Sequence, residues 1–106
     1  MLTHADIETM LLAMPNARLD YPFGKEAAVY KVGDKMFAII QEGSDPVRLS
    51  LKCDPQLAEI LREKYESVVP GYHLNKKHWN TIICSGQLSE QEIKDLIVHS
   101  YHLVAG

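Results

Sequence analysis

The residues best suited to binding a ligand lie in one stretch, 67–89, which contains no Asp or Glu. Lys76 and Lys77 give this stretch a formal charge of +2, whereas residues 1–66 carry −3 and residues 90–106 carry −2. Lysine and protonated histidine bind phosphate oxygens, asparagine bonds to phosphates or base edges, and aromatic rings stack on bases. The stretch therefore predicts a nucleic-acid contact surface made by Tyr72, His73, Asn75, Lys76, Lys77, His78, Trp79 and Asn80.

Two further cations could extend this predicted surface. Arg48 and Lys52 lie on the polar side of an alternating run, and they contribute only if that side faces the same way as the stretch 67–89. Even then only a few phosphates would be neutralised. Binding to double-stranded DNA is therefore expected to be weak and sensitive to salt.

The same stretch also has a purely structural interpretation. Tyr72 and Trp79 could anchor the core, while the Asn and His side chains bond to the backbone of a turn and the lysine pair forms its solvated tip. The positions of the two aromatic side chains decide between these interpretations. If both are buried, the predicted surface loses its stacking groups.

Other kinds of site have little support in the sequence. His73 and His78 lie near Cys84, but their spacing matches no zinc pattern. Gly24-Lys25 lacks the upstream glycine and the following Ser or Thr of a P-loop. Neither G-x-S-x-G nor H-E-x-x-H occurs. We therefore predict no enzymatic activity, no metal and no cofactor.

The composition indicates one globular domain over residues 1–106. Hydrophobic residues make up 46% of the chain and charged residues 24%, which is too apolar for intrinsic disorder. The net charge of −3 excludes a basic field over the whole molecule. No leader pattern or membrane-spanning run is present, and Cys53 and Cys84 suit reduced core thiols. These features predict a soluble, cytoplasmic protein with no membrane partner.

Three helices are predicted from their N-cap signals. Thr3 precedes a helix over 4–14, and Asp54, followed by proline, precedes a helix over 55–65. Ser89 begins a Ser-x-x-Glu capping box before a third helix that runs to the chain end. Each helix carries apolar residues at helical spacing, so one side of each should pack against a core.

Strand patterns fill most of the remaining chain. Residues 15–26 are interpreted as an irregular connection with a short extended piece around Arg18 to Tyr21, because proline and glycine punctuate them. The predicted order is helix, three strands, helix, two strands, helix. Short connections favour a five-stranded antiparallel sheet with helices on one face, an α+β two-layer sandwich. The strands are predicted as a hairpin over 27–41, an alternating strand over 47–53, and short strands over 67–74 and 79–84.

Several segments together resemble the MmcQ/YjbR family. The most specific is Val-Pro-Gly-Tyr-His-Leu-Asn-Lys-Lys-His-Trp-Asn-Thr over 69–81, preceded by Ser-Leu-Lys-Cys-Asp-Pro over 50–55 and by Tyr-Pro-Phe-Gly over 21–24. With Gly86, Leu88 and the third helix, the resemblance covers nearly the whole chain.

This resemblance implies a small bacterial, cytoplasmic α+β protein with no assigned catalytic residue. It also implies DNA binding, because the hairpins of such proteins have been likened to a double-wing arrangement. The fold is compared with frataxin-like proteins and with type III secretion chaperones. The latter comparison supports an alternative function, a protein-interaction or chaperone-like module that uses an exposed sheet face or a groove. An exposed apolar groove would favour that alternative.

Overall fold

A computed structural model describes residues 2–105 of the chain. It contains three helices and six strands, so the fold belongs to the α+β class as predicted. The elements, in chain order, are α1 His4–Leu12, β1 Ala17–Asp20, β2 Ala27–Val32, β3 Lys35–Gln41, β4 Arg48–Lys52, α2 Pro55–Lys64, β5 Val68–Pro70, β6 Trp79–Ile83 and α3 Glu90–Ala105.

The helices begin where the predicted caps place them. The Asp6 backbone N–H donates to the Thr3 hydroxyl at 3.1 Å, and the Thr3 N–H donates to the Asp6 carboxylate at 2.9 Å. Asp54 caps α2, and Ser89 caps α3 in the same reciprocal way as Thr3 caps α1. These bonds satisfy backbone N–H groups that have no partner within a helix. Within residues 2–105, no helix is long and apolar enough to cross a membrane.

The sheet is antiparallel throughout, with strand order β1-β2-β3-β4-β6-β5. The prediction of five strands was wrong, because Ala17–Asp20 pairs with β2 as a sixth strand at the edge. The Ala-Arg-Leu-Asp sequence of this strand alternates, but it spans only four residues between turn-forming residues, so the pattern alone predicts no more than a short extended piece in an irregular connection. Pairing stabilises it, and the Lys31 ammonium adds a bond to the Asp20 carboxylate at 3.2 Å.

The core lies between α3 and the sheet. Helix α3 packs across β2, β3 and β4, while α1 contacts β1 and α2 contacts β5. Ser100 ties α3 to two strands, since its hydroxyl donates to the Phe37 carbonyl at 2.5 Å and accepts from the Lys52 N–H at 3.0 Å. The largest fully buried side chains of the core are Tyr30, Phe37, Ile7, Leu11, Ile40, Leu49, Ile82 and Ile97.

The opposite face of the sheet carries a different set of side chains. Because side chains alternate along a strand, Ser50 points away from the core that Leu49 and Leu51 enter. Its cross-strand neighbour Thr81 shares that face, and their hydroxyls lie 2.8 Å apart. Ile39 of β3 pairs with Ser50 and continues the same row. This second face is the floor of the candidate site.

Candidate ligand-binding groove

A groove of about 490 Å³ lies over the second face of the sheet. Strand residues form its floor, namely Ala27, Ile39, Ser50 and Thr81. Two loops form its walls, residues 21–26 with Phe23 and residues 71–78 with Tyr72, His73 and Leu74. Glu26, Gln41 and Arg48 add polar groups. We call this feature the sheet groove.

The walls of the sheet groove present aromatic rings to solvent. Tyr72 and Phe23 are each 63% exposed, although both are large apolar side chains. The His73 ring lies against Tyr72, with centroids 4.0 Å apart and planes tilted by 50°. His73 has a left-handed backbone with φ of 57°, which is uncommon for a residue other than glycine. Such conformations are often found at binding sites.

The backbone of residues 71–78 is held tightly to β6. The Gly71 N–H donates to the Trp79 carbonyl at 2.9 Å, and the Tyr72 N–H donates to the Thr81 hydroxyl at 3.3 Å. A Cβ at Gly71 would lie 2.7 Å from the Trp79 Cβ, so only glycine fits without movement of the backbone. Leu74 also lies close to this glycine. The backbone that carries the exposed Tyr72 side chain is therefore fixed to β6.

Arg62 of α2 holds the far end of the same loop. Its Nε donates to the Asn80 side-chain oxygen at 2.6 Å. A terminal guanidinium nitrogen donates to the carbonyls of Lys76 and Trp79, the latter at 3.2 Å. Arg62 thus connects a helix, a strand and the loop through one side chain. The sequence analysis missed this residue, because its partners lie 14 to 18 positions away along the chain.

Arg48 is the cation of the sheet groove. It is exposed, and its guanidinium makes no hydrogen bond or ion pair with any other residue in the range 2–105. Glu26 lines the same groove, but it forms no ion pair with Arg48 in that range. A guanidinium without a partner beside apolar surface is able to bind an anionic group of a ligand.

The structure divides the predicted surface residues into separate groups. Tyr72, His73 and Arg48 come together in the sheet groove. Trp79 is only 6% exposed, with Gly71 packed close to its Cβ, and Asn80 is only 3% exposed, with its amide bound by Arg62 and Ala58. The predicted contacts of Trp79 and Asn80 with nucleic acid are therefore corrected, since neither side chain reaches the surface.

The remaining predicted residues lie outside the groove. The Lys76 ammonium donates to the Gly71 carbonyl at 3.1 Å, and the Asn75 side-chain oxygen accepts from the Lys77 N–H at 2.9 Å. These two side chains therefore have structural partners in the turn. Lys77 and His78 are exposed next to them. Lys52 is half-buried and does not line the groove.

Two buried thiols offer no reactive chemistry at neutral pH. Burial raises the pKa of Cys53 to about 11 and that of Cys84 to about 11, so both remain protonated. In the described part of the chain, no group of three or more His, Cys, Asp or Glu side chains is placed to hold a metal ion. The groove is lined by aromatic, apolar and polar side chains and by Arg48.

The sequence analysis also missed eight of the groove residues, among them Phe23, Ile39 and Gln41. The alternation of β3 places Ile39 and Gln41 on one face, which a strand pattern can reveal. Phe23 lies between Pro22 and Gly24 in a connection, and an aromatic residue between two turn-forming residues was the sequence signal that could have pointed to it.

Comparison with known proteins places the chain in a family. Residues 12–103 match the YjbR family model. The protein YbdF of Escherichia coli is 38% identical over 101 residues, which cover 95% of this chain and 83% of that protein. The protein YjbR of Escherichia coli is 35% identical over 100 residues, which cover 94% of this chain and 85% of that one. Both relatives are named as uncharacterized proteins.

Solved structures show the same fold. A crystal structure of the Deinococcus radiodurans protein DR2400 aligns with a TM-score of 0.92 and 39% identity, covering 97% of this chain and 78% of that one. A Pseudomonas syringae protein aligns with a TM-score of 0.83 and 27% identity, covering 97% and 99%. The chain belongs to the YjbR family.

Proposed function

Starting from this family membership, we propose that the protein binds nucleic acid and catalyses no reaction. The observation that carries the proposal is the exposed Tyr72–His73 ring pair in the sheet groove, which Arg48, without an ion-pair partner within residues 2–105, also lines. Aromatic faces stack on bases without regard to sequence, and a guanidinium binds phosphate through paired donors. The proposed contact surface is therefore the groove wall, extended by Lys77 and His78 at the loop tip.

The charge of the surface limits its affinity. Lys77 and Arg48 are two exposed cations near the loop and groove, and Glu26 opposes them at the rim. Each neutralised phosphate contributes one step of counterion release, so two contacts give weak, salt-dependent binding. A base stacked on Tyr72 would add about 1 to 3 kcal/mol that depends less on salt.

We also propose where in the cell the protein acts and how its helices and sheet are layered. The relatives come from bacteria, which supports a bacterial protein that acts in the cytoplasm, where DNA is present. We infer a two-layer sandwich in which the helices cover one face of the sheet. This arrangement leaves the second face open above the floor that Ile39, Ser50 and Thr81 form.

A salt titration tests nucleic-acid binding directly. Fluorescence anisotropy with labelled DNA, from about 50 to 200 mM salt, should give a slope of about two phosphates for the parent protein. Lys77→Glu should lower the slope by about one or more. Lys94→Glu, an equal charge change at an exposed site of α3, is the matched control and should leave the slope unchanged. Lys76 is left intact because its ammonium bonds to Gly71.

Absence of binding at the lowest salt, with both single-stranded and duplex DNA, would refute the proposed function. Equal decreases of the salt slope in Lys77→Glu and Lys94→Glu would also count against the proposed function. They would indicate a general effect of net charge rather than contact at this loop.

A second candidate function is a protein-interaction or chaperone-like module. The apolar lining of the sheet groove, with Phe23, Ile39 and Leu74, favours this candidate. Exposed apolar patches commonly mark sites of protein contact. This second function would be supported if the protein binds an apolar ligand through Phe23 and does not bind DNA.

A further inference from the structure

We propose that the sheet groove is a site for one unpaired nucleotide, with its base against Tyr72 and its phosphate on Arg48. This inference rests on the proposed nucleic-acid function and makes it specific to unpaired rather than duplex nucleic acid. The nucleotide can belong to a single strand or be free in solution, since both present the same planar ring and anionic group. The groove geometry, the sheet pairing and the side-chain chemistry each support the inference.

The size of the groove suits a small planar ligand. Ligand pockets in proteins span about 300 to 1,000 Å³, and the groove has about 490 Å³. In duplex DNA the base faces are covered by neighbouring bases, so they cannot reach Tyr72 without being unstacked. An unpaired base can enter directly.

The floor of the groove disfavours an extended peptide. Its residues belong to β2, β3, β4 and β6, and each of these strands is already paired on both sides. A peptide binds a sheet by adding to a free edge, and the two edges here are β1 and β5. A peptide laid on the floor would bury amide groups without partners, which is costly. A planar ring has no such backbone to satisfy.

The polar groups of the groove match the chemistry of a nucleotide. Arg48 has no partner among the residues described and can bind a phosphate bidentately. The Gln41 amide also lines the groove and can both donate to and accept from a base edge. Glu26 opposes an anion at this site, so its removal should strengthen binding. Because removal of Glu26 should strengthen binding rather than weaken it, a Glu26 variant tests whether the ligand carries a negative charge.

The experiment compares four probes with the parent protein. They are a short mixed-sequence DNA single strand, the same strand annealed to its complement, a sugar–phosphate strand of equal length with abasic sites, and the mononucleotide dAMP. We expect the single strand to bind at least about tenfold more tightly than the abasic strand, the effect of losing one base–aromatic stack. The duplex should bind more weakly than the single strand, and dAMP should compete with the strand.

Variants locate the site. Tyr72→Ala should weaken single-strand binding about tenfold. Arg48→Gln should lower the salt slope by about one. Glu26→Gln should strengthen binding about twofold or more. His73→Asn removes the imidazole ring, and asparagine tolerates the left-handed backbone at this position. A change in affinity in this variant therefore reflects loss of the ring rather than disturbance of the loop. Lys94→Gln is the control, and its affinity should equal that of the parent. Circular dichroism confirms that each variant is folded.

The outcomes separate the inference from the proposed function. Duplex binding equal to or stronger than single-strand binding, or an abasic strand that binds as well as the intact one, would overturn the nucleotide site while leaving nucleic-acid binding in place. Failure of all four probes would overturn both. Binding of the uncharged apolar dye Nile red in a Phe23-dependent way, with no nucleotide binding, would overturn the nucleotide site in favour of a protein-interaction groove.

Discussion

Replacement of Arg62 by methionine tests how the binding wall is supported. Methionine keeps an unbranched apolar stem like the aliphatic part of arginine but removes every donor. Asn80, which is buried, then loses the bond to its side-chain oxygen, while the Lys76 and Trp79 carbonyls lose theirs. The Lys76 carbonyl is exposed, so water can replace the guanidinium there, and the Trp79 carbonyl keeps its bond from the Gly71 N–H. Asn80 cannot be rehydrated without opening the structure.

The expected loss of stability follows from these contacts. A buried polar atom left without a partner costs about 1 to 3 kcal/mol, and the partly rehydrated carbonyls add a smaller amount. We therefore expect a free energy of unfolding lower by about 2 to 3 kcal/mol. In a domain of this size each kcal/mol changes Tm by about 4 to 8 °C, so Tm should fall by roughly 8 to 24 °C.

Urea denaturation and thermal melting, both followed by circular dichroism, measure the effect. Glu63→Met is the matched control, because it places the same residue at an exposed position of the same helix. Its stability should stay within about 0.5 kcal/mol of the parent, as surface substitutions usually do. If Arg62→Met also stays within about 0.5 kcal/mol, Arg62 does not support the loop and the reasoning is wrong.

Three further outcomes test the fold. Ser100→Ala removes the donor to the Phe37 carbonyl and should lower the free energy of unfolding by about 1 to 3 kcal/mol, whereas an unchanged urea midpoint would contradict the bond. Cys53 and Cys84, whose pKa values are raised, should react with DTNB only after unfolding, and fast reaction of the native protein would show exposed thiols. The Ser89 N–H holds the pKa of Glu92 below its ordinary value of 4.5, so its stabilisation is present above that pH and lost on further acidification. The parent's stability should thus fall more steeply than that of Glu92→Gln between about pH 5 and 3.

Local signals in the sequence were sufficient for the helices and most strands. Thr3, Asp54 and Ser89 each cap a helix through bonds between near neighbours, and such bonds depend on few other parts of the chain. The sequence predicted only a short extended piece around Arg18 to Tyr21, because four alternating residues are too few to identify a strand; pairing with β2 makes Ala17–Asp20 part of the sheet. That β2 has a free edge for this pairing becomes clear only once the neighbouring β2–β3 hairpin is known.

The site was harder to predict because it depends on what covers each face of the sheet. The stretch 67–89 differs in charge from the rest of the chain, and the sequence alternation places Trp79 and Thr81 on the same side of β6. It does not reveal that the loop folds back over Trp79 while Tyr72 stays exposed. The contribution of Phe23 arises from a loop some 50 residues earlier in the chain.

The most direct test of the central claim is a titration of isotope-labelled protein with the short DNA single strand, followed by amide chemical shifts. Binding in the sheet groove should shift the amides of residues 71–78, Phe23 and Ile39 in a saturable way, and leave the exposed face of α3 unchanged. Saturable shifts confined to the helices, or no shifts at millimolar strand, would contradict the claim that this groove binds an unpaired nucleotide.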